Sequence, residues 1–513
     1  MIQPTATEFR ELARQYRMVP VWREVLADLT TPVAAFARVV GRGDGFLLES
    51  VEHGERWSRW SFMGRNPIAT LEARGRQVTV TGSLGVAIPR DQGILAALEA
   101  LVDHYRAPSI SGLPPLHGGL VGYLGYDVVR EVEHLPDVPL DDMGHPDAVM
   151  SLIGELAVYD HWRQRATLIS NVLVPDGADD RLIDRLYYEA VLRVEAIAAD
   201  GAKPLDEPLV APPAPVGADD ADADTVTTTS TMGLDRYCEA VEAAREHIFA
   251  GDVFQVVLSQ RFDFDLGADA FDAYRTLRQV NPSPYMYFLR HDGLELVGGS
   301  PEPMVQLRDG KVISRPIAGT RRRGRTDAED RRLAAELAEH PKEVAEHVML
   351  VDLARNDVGR VVEFGTLNLD EMMTLERYSH VMHLTSQVSG KLSATASPID
   401  VLRATLPAGT VSGAPKVRAM EIIDALEPVK RGPYAGVVGY IDFSGNIDTA
   451  ITIRTMLVRD GRASVQAGAG VVADSVPAEE HAECENKARA LLSAVPAARR
   501  MTEARNKARR LRR

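Results

Sequence analysis

The chain has 513 residues, 45 % apolar and 26 % charged, with a net charge of −15. That length gives two or three units with a sizeable core, and that composition describes a globular protein rather than a disordered one. The acidic balance argues against a general nucleic-acid binder. Two cysteines, Cys238 and Cys484, exclude a disulfide scaffold and an all-cysteine zinc site. No secretory start and no apolar run of about 18 residues is present. The expectation is a cytoplasmic protein with no membrane role.

The predicted elements begin with a helix over Glu8–Tyr16, then short strands at Phe46–Ser50, Arg59–Met63, Gln77–Thr81 and Glu155–Tyr159. Leu95–Tyr105 and Arg181–Ala199 carry helical spacing. The run GGLVGYLGYD (118–127) marks close backbone packing or a strand bend. Residues 201–233 are rich in Pro, Asp and Thr and read as a mobile connection. They divide an amino-terminal region, 1–200, from 234–498. In the second region a helix over Leu234–Ala250 stops at Gly251, a strand covers Val253–Phe264, and a helix spans Pro341–Leu353. Strands follow at Val437–Asp442, Thr449–Val458 and Ala463–Ala467, then a helix over Pro477–Leu492. The short links Phe443–Asn446 and Arg459–Arg462 imply antiparallel pairing. A doubly wound parallel sheet is therefore disfavoured. Residues 499–513 carry a net +7 and read as a solvated, frayed helical tail.

Several motifs bear on chemistry. GAGVVAD (468–474) matches a dinucleotide fingerprint only superficially, because no helix opens on its glycines. Those glycines instead let the backbone approach an anion. GTVSGAPK (409–416) lacks P-loop spacing, yet Thr410 and Ser412 place hydroxyls among glycines. Glu343 and Glu346 share one helix face by i,i+3 spacing, and so do Glu480 and Glu483. Two such helices facing each other offer hard oxygen ligands to Mg²⁺. Arg454, inside the apolar ITIRT, needs an anionic partner if it is buried.

Seven segments together resemble the chorismate-utilising enzymes, and most nearly their anthranilate synthase large-subunit branch. They are FQVVLSQR (254–261), GGSPE (298–302), RPIAGTRRRG (315–324), EHVMLVDLARND (346–357), YSHVMHL (378–384), LPAGTVSGAPK (406–416) and AGAGVVADSVP (467–477). The resemblance implies an α+β fold of large antiparallel β-sheets packed as a sandwich, with helices outside. It implies Mg²⁺ on Glu346 and Glu483, with Glu343 and Glu480 beside the metal or facing substrate. Arg454, Tyr434 and the amides of Gly468, Ala469 and Gly470 would hold the enolpyruvyl carboxylate of chorismate. Gly319, Thr320 and Thr410 would complete the pocket, and His383 would donate a proton to the departing 4-hydroxyl.

Two positions separate branches of the family. Aminodeoxychorismate synthases carry a nucleophilic lysine where Ala318 stands, and isochorismate and salicylate synthases carry a water-activating lysine where Gln255 stands. Both departures favour ammonia as nucleophile and anthranilate as product. Neither cysteine sits on a small-residue elbow suited to a glutaminase, so ammonia would come from a separate glutamine amidotransferase subunit, in a heterotetramer or larger assembly. FLLES (46–50) and NPSPYM (281–286) resemble the family's regulatory site. By that resemblance Glu49, Ser50, Pro284, Tyr285, Met286, Val438 and Tyr440 would bind L-tryptophan as feedback inhibitor. A tryptophan sensor without catalysis would have no need of Glu346, Glu483, His383 and Arg454.

Overall fold

The computed structural model describes residues 1–50, 59–205, 207–208, 210–212, 226–377 and 381–511, apart from the side chains of Thr320 and Lys342. Tyr378, Ser379 and His380 of the YSHVMHL signature lie outside the described residues, as does the 213–225 part of the Pro/Asp/Thr-rich connection.

Alternating apolar positions build two sheets in which every pairing between strands is antiparallel. The first sheet has 12 strands. Its path runs from Met18–Leu26 through Arg165–Leu173, Glu155–Asp160, Trp60–Arg65 and Gly45–Glu49 to Tyr285–His291, Leu294–Ser300, Thr455–Arg459, Arg462–Val471 and Gln255–Asp265. The second has 11 strands, and both sheets take strands from either side of the 201–233 connection. Phe46, Phe62, Tyr287 and Leu296 of the first sheet meet Val121, Tyr440, Tyr123 and Val438 of the second in the layer between them. The expected α+β sandwich, with helices outside, is what the chain forms. The links at 443–446 and 459–462 close hairpins as expected.

The helix Pro477–Leu492 has the expected bounds, and Pro341–Gly359 runs six residues further than its periodicity suggested. The connection is partly docked. Thr229–Ser230 forms a short strand, and Glu207 lies 3.6 Å from Arg275.

The basic tail departs from expectation. It is no frayed end but part of a helix, Val495–Arg510, packed on Ala270–Val280. Periodic placement is the reason: Met501 and Arg505 fall on one face and are buried. Arg505 reaches Asp272 at 2.9 Å and Asp269 at 3.0 Å, while Thr502 donates to Asp272 at 2.7 Å. Asp272 is fully buried, so the arginine and the threonine supply its required partners. Arg505→Ala is expected to destabilise the fold by about 2 kcal/mol, because it removes one of the two arginines paired with that buried carboxylate, leaving Arg275 at 3.1 Å and Thr502. The exposed Arg509→Ala should change stability by less than about 0.5 kcal/mol. Chemical denaturation of both variants checks the contrast.

Candidate active site

The site is assembled where the strand Arg462–Val471 outruns its neighbour. The strand Thr455–Arg459 pairs with it only as far as Val465. Beyond that point one edge of residues 466–471 faces away from the ladder with Gln255–Asp265. In an antiparallel ladder alternate residues turn N–H and C=O to opposite sides. Gly468 turns its carbonyl outward, where Lys487 donates to it at 2.7 Å. Gly468 and Gly470 therefore direct their N–H groups outward as well. Ala469 directs its own into the ladder, opposite Leu258, and its side chain is buried in the core. Of the three amides expected to hold a carboxylate, strand alternation turns those of Gly468 and Gly470 outward and that of Ala469 into the ladder.

The glycines also make room. A Cβ on Gly468 would stand 2.8 Å from the Tyr434 hydroxyl, and one on Gly470 would stand 2.4 Å from Gln255 Nε2. Gln255 is buried, and its Oε1 has no hydrogen-bond partner among the described residues. LPAGTVSGAPK caps the edge of the same strand, with Phe254 N–H on the Ala414 carbonyl at 2.7 Å and Val257 N–H on the Ser412 carbonyl at 2.9 Å. That places Thr410 in the site, with its buried hydroxyl outside hydrogen-bond geometry.

His383 reaches the site from the other sheet. The register between Ile317–Arg322 and Val381–Lys391 shifts between Ala318 and Thr320, so Gly319 is the extra residue of a bulge, with φ +67°. The bulge brings its carbonyl 3.3 Å from His383 Nδ1. A carbonyl only accepts, so Nδ1 carries the proton in this contact. Burial lowers the His383 pKa; the Gly319 bond opposes this and Arg454 adds to it. Thr320 lies opposite His383 in the ladder, and its side chain is outside the described residues.

Arg454 sits between two strands with φ +50°. Its guanidinium is mostly buried and has no hydrogen bond or ion pair among the described residues. Burial pulls its pKa below the ordinary arginine value, against the field of Tyr434 and Glu483. A cation in that position favours an anionic ligand.

The expected carboxylates stand on the helices Pro341–Gly359 and Pro477–Leu492. Glu343 pairs with Arg321 at 2.9 Å, and Glu483 pairs with Lys487 at 2.6 Å. Glu346 and Glu480 lie one turn from them on the same faces.

Three functional candidates escaped the sequence reading. Glu302 ends GGSPE, a segment noted for resemblance and given no role. Burial pushes its carboxyl up to about 7, while Thr410 and Lys487 pull it partly back. Lys487 follows Glu483 by four residues, a spacing that could have flagged the pair. Arg321 belongs to RPIAGTRRRG and neutralises Glu343. A cavity of about 420 Å³ lies beside Glu302 and Thr410, lined also by Arg315, Leu353 and Asp357.

Neither cysteine is disposed to attack. Cys484 is buried, donates to the Tyr237 hydroxyl at 3.1 Å, and burial pushes its thiol up to about 12. Burial raises the Cys238 thiol as well.

A second cavity, about 1080 Å³, opens between the sheets. All seven residues expected at the regulatory site line it: Glu49, Ser50, Pro284, Tyr285, Met286, Val438 and Tyr440. The buried Ser50 hydroxyl has no partner among the described residues. Glu49 accepts from Tyr274 at 2.6 Å and lies 2.9 Å from Arg278. Burial raises the Glu49 pKa even so. Trp60 and Trp162 stand at the rim with Arg59 over both rings.

Residues 45–493 match the family model for chorismate binding enzymes. The chain is 45 % identical over 495 residues to anthranilate synthase component 1 of Acetivibrio thermocellus, covering 96 % of this chain and 99 % of that one. Against the enzyme of the same name from Mycolicibacterium smegmatis it is 46 % identical over 503 residues, covering 97 % and 94 %. The crystal structure of anthranilate synthase component I from Streptococcus pneumoniae superposes with a TM-score of 0.73 at 35 % identity, covering 91 % and 99 %. The menaquinone-specific isochorismate synthase of Escherichia coli shares the fold, with a TM-score of 0.68 at 19 % identity over 95 % and 98 %.

The raised Glu302 carboxyl has a stability consequence. An acid whose folded pKa exceeds its unfolded one costs the fold nothing below the unfolded pKa. Stability is then lost as pH rises through the folded value. Glu302→Gln is therefore expected to leave stability unchanged at pH 4 and to raise it by up to about 3 kcal/mol at pH 8. Unfolding curves at the two pH values check the sign.

Proposed function

Since the chain belongs to the chorismate-binding enzymes, and within them to the anthranilate synthase component 1 branch, we propose that it converts chorismate and ammonia to anthranilate and pyruvate. The observation that carries this reading is the mostly buried Arg454, with no ion pair among the described residues, in a chain with two outward glycine amides and with Ala318 and Gln255 at the branch-determining positions.

Arg454 and the Gly468 and Gly470 amides orient the enolpyruvyl carboxylate, with Tyr434 packed against the glycine strand. Gly319 and Thr410 wall the ring, and Thr320 belongs to the same bulge. Gln255 is neutral and cannot act as a base toward water, so its amide positions the incoming nucleophile. His383 exchanges its proton at Nε2, since Nδ1–H is held by Gly319. A substrate dianion beside Arg454 offsets the arginine's effect on the ring and favours the imidazolium, the form that protonates the leaving hydroxyl.

Mg²⁺ fits the donor set. Among the described residues no three acidic, histidine or cysteine side chains form a ready metal cluster. Mg²⁺ binds by one or two carboxylates and fills its shell with water and substrate oxygens. Glu346 and Glu483 would hold it, with Glu343 and Glu480 alongside, and it would neutralise the ring carboxylate of chorismate. Arg321 and Lys487 balance the surplus charge of that acidic group.

Ammonia comes from a glutamine amidotransferase subunit, because both thiols of this chain are held in the protonated form. L-Tryptophan inhibits by binding the inter-sheet cavity. A coupling of about 1–3 kcal/mol between the two sites suffices. The fold has no described helix long and apolar enough to cross a membrane, and we place the enzyme in the cytoplasm.

Purified chain given chorismate, Mg²⁺ and ammonium salt is expected to release anthranilate, and EDTA to abolish it. His383→Asn should lower kcat by about 10²–10³-fold with little change in KM. Isochorismate, salicylate or aminodeoxychorismate as product would overturn the reading. Ser50→Phe, which fills the inter-sheet cavity, is expected to keep turnover and lose tryptophan inhibition, measured by anthranilate fluorescence across an inhibitor series.

A further inference from the structure

The strand Gln255–Asp265 lies with one edge along Arg462–Val471, and its other edge is only partly covered. On that second edge Gly413–Ala414 pairs with Gln255 and Val256, and Thr229–Ser230 pairs with Phe262 and Asp263. Between them, among the described residues, the edge has no strand partner. Alternation turns the N–H and C=O groups of Val257 and Ser259 toward this gap. The Val257 N–H donates to the Ser412 carbonyl at 2.9 Å. Two side chains meet the next groups. Arg431 donates to the Val257 carbonyl at 2.7 Å, and Glu427 accepts from the Ser259 N–H at 2.8 Å. The two are themselves paired at 2.6 Å, and both are buried. An ion pair thus takes the place of a strand.

The same guanidinium holds a second segment. It donates to the Val411 carbonyl at 2.7 Å, immediately after Thr410. Its four hydrogen bonds go to Val257, to Val411 and to both oxygens of Glu427, all within the protein. It also lies 4.7 Å from the ring centre of Tyr126 and 5.7 Å from that of Tyr434. Between Arg431 and Tyr434 the chain turns at Gly432, with φ +59°, whose carbonyl accepts from the Tyr126 N–H at 2.9 Å. On the strand side Val257 stands opposite Gly470, and Ser259 opposite Gly468. The Ser259 hydroxyl donates to Glu427 at 2.9 Å and accepts from Gln466 at 2.8 Å. A buried ion pair is by itself weak evidence for stability. What distinguishes this one is the set of segments it joins.

We propose that Arg431 is a positioning residue of the chorismate pocket, its planar fork fixing the spacing between Thr410, the Gly468–Gly470 edge and Tyr434. The proposal rests on the anthranilate synthase reading above. All of the arginine's hydrogen bonds are to protein, so it acts through the groups it spaces. Misplacing such groups by about 1 Å lowers a rate by up to about 100-fold. Lysine would keep the charge beside Glu427. Its single nitrogen cannot serve two carbonyls and both carboxylate oxygens in one plane.

The test compares Arg431→Lys and Ser259→Ala with the wild-type chain. Anthranilate formation from chorismate, Mg²⁺ and ammonium salt is measured, and each rate is referred to the folded fraction taken from unfolding curves. Arg431→Lys is expected to lower kcat by about 10–100-fold, with KM for chorismate within about threefold of wild type. Ser259→Ala leaves the ion pair whole, so it folds even where Arg431→Lys does not. It is expected to lower kcat about threefold by removing one bond to Glu427. A wild-type kcat per folded molecule in either variant, whatever its stability, makes the arginine structural only and overturns the positioning role. A loss confined to KM overturns it as well. A wild-type chain that makes no anthranilate overturns the underlying reading instead.

Discussion

A mostly buried guanidinium with no ion pair among the described residues is the constraint on which the candidate site depends. Arg454 is held in a left-handed backbone conformation between two strands, with its carbonyl accepting from Gly299. Such a position costs stability unless something else is gained. On the reading proposed above, the gain would be a preorganised cation for a substrate carboxylate. The His383 pKa responds to the same charge, so the two side chains are electrostatically linked.

Much of the fold was legible because it rests on local pattern. Strand alternation and hairpin spacing revealed antiparallel sheets, and apolar periodicity placed the helix Pro477–Leu492. The site was legible through glycine-rich segments whose backbone had to lie bare. What was missed depends on long-range placement. Glu302 owes its raised pKa to burial in the folded chain, which no local pattern encodes. The inward turn of the Ala469 amide was not legible, because a sequence run does not show which side of a ladder each N–H takes. The basic tail looked solvated because its many charges hid two buried positions, Met501 and Arg505.

Charge neutralisation at the acidic helices follows one scheme. Among the described residues Arg321 meets Glu343 and Lys487 meets Glu483. Lys487 also donates to the Gly468 carbonyl, tying the helix to the strand that carries the outward amides. A change at the acidic helix is therefore mechanically linked to that strand.

The weaving of both sequence regions through both sheets has an evolutionary corollary. Tyr285–His291 lies between Gly45–Glu49 and Leu294–Ser300. Deleting the amino-terminal region would not trim an accessory module. It would bare long strand edges, which template aggregation. Change to the amino-terminal region is thus confined to substitutions that keep its strands paired, whereas a separately appended domain can simply be lost.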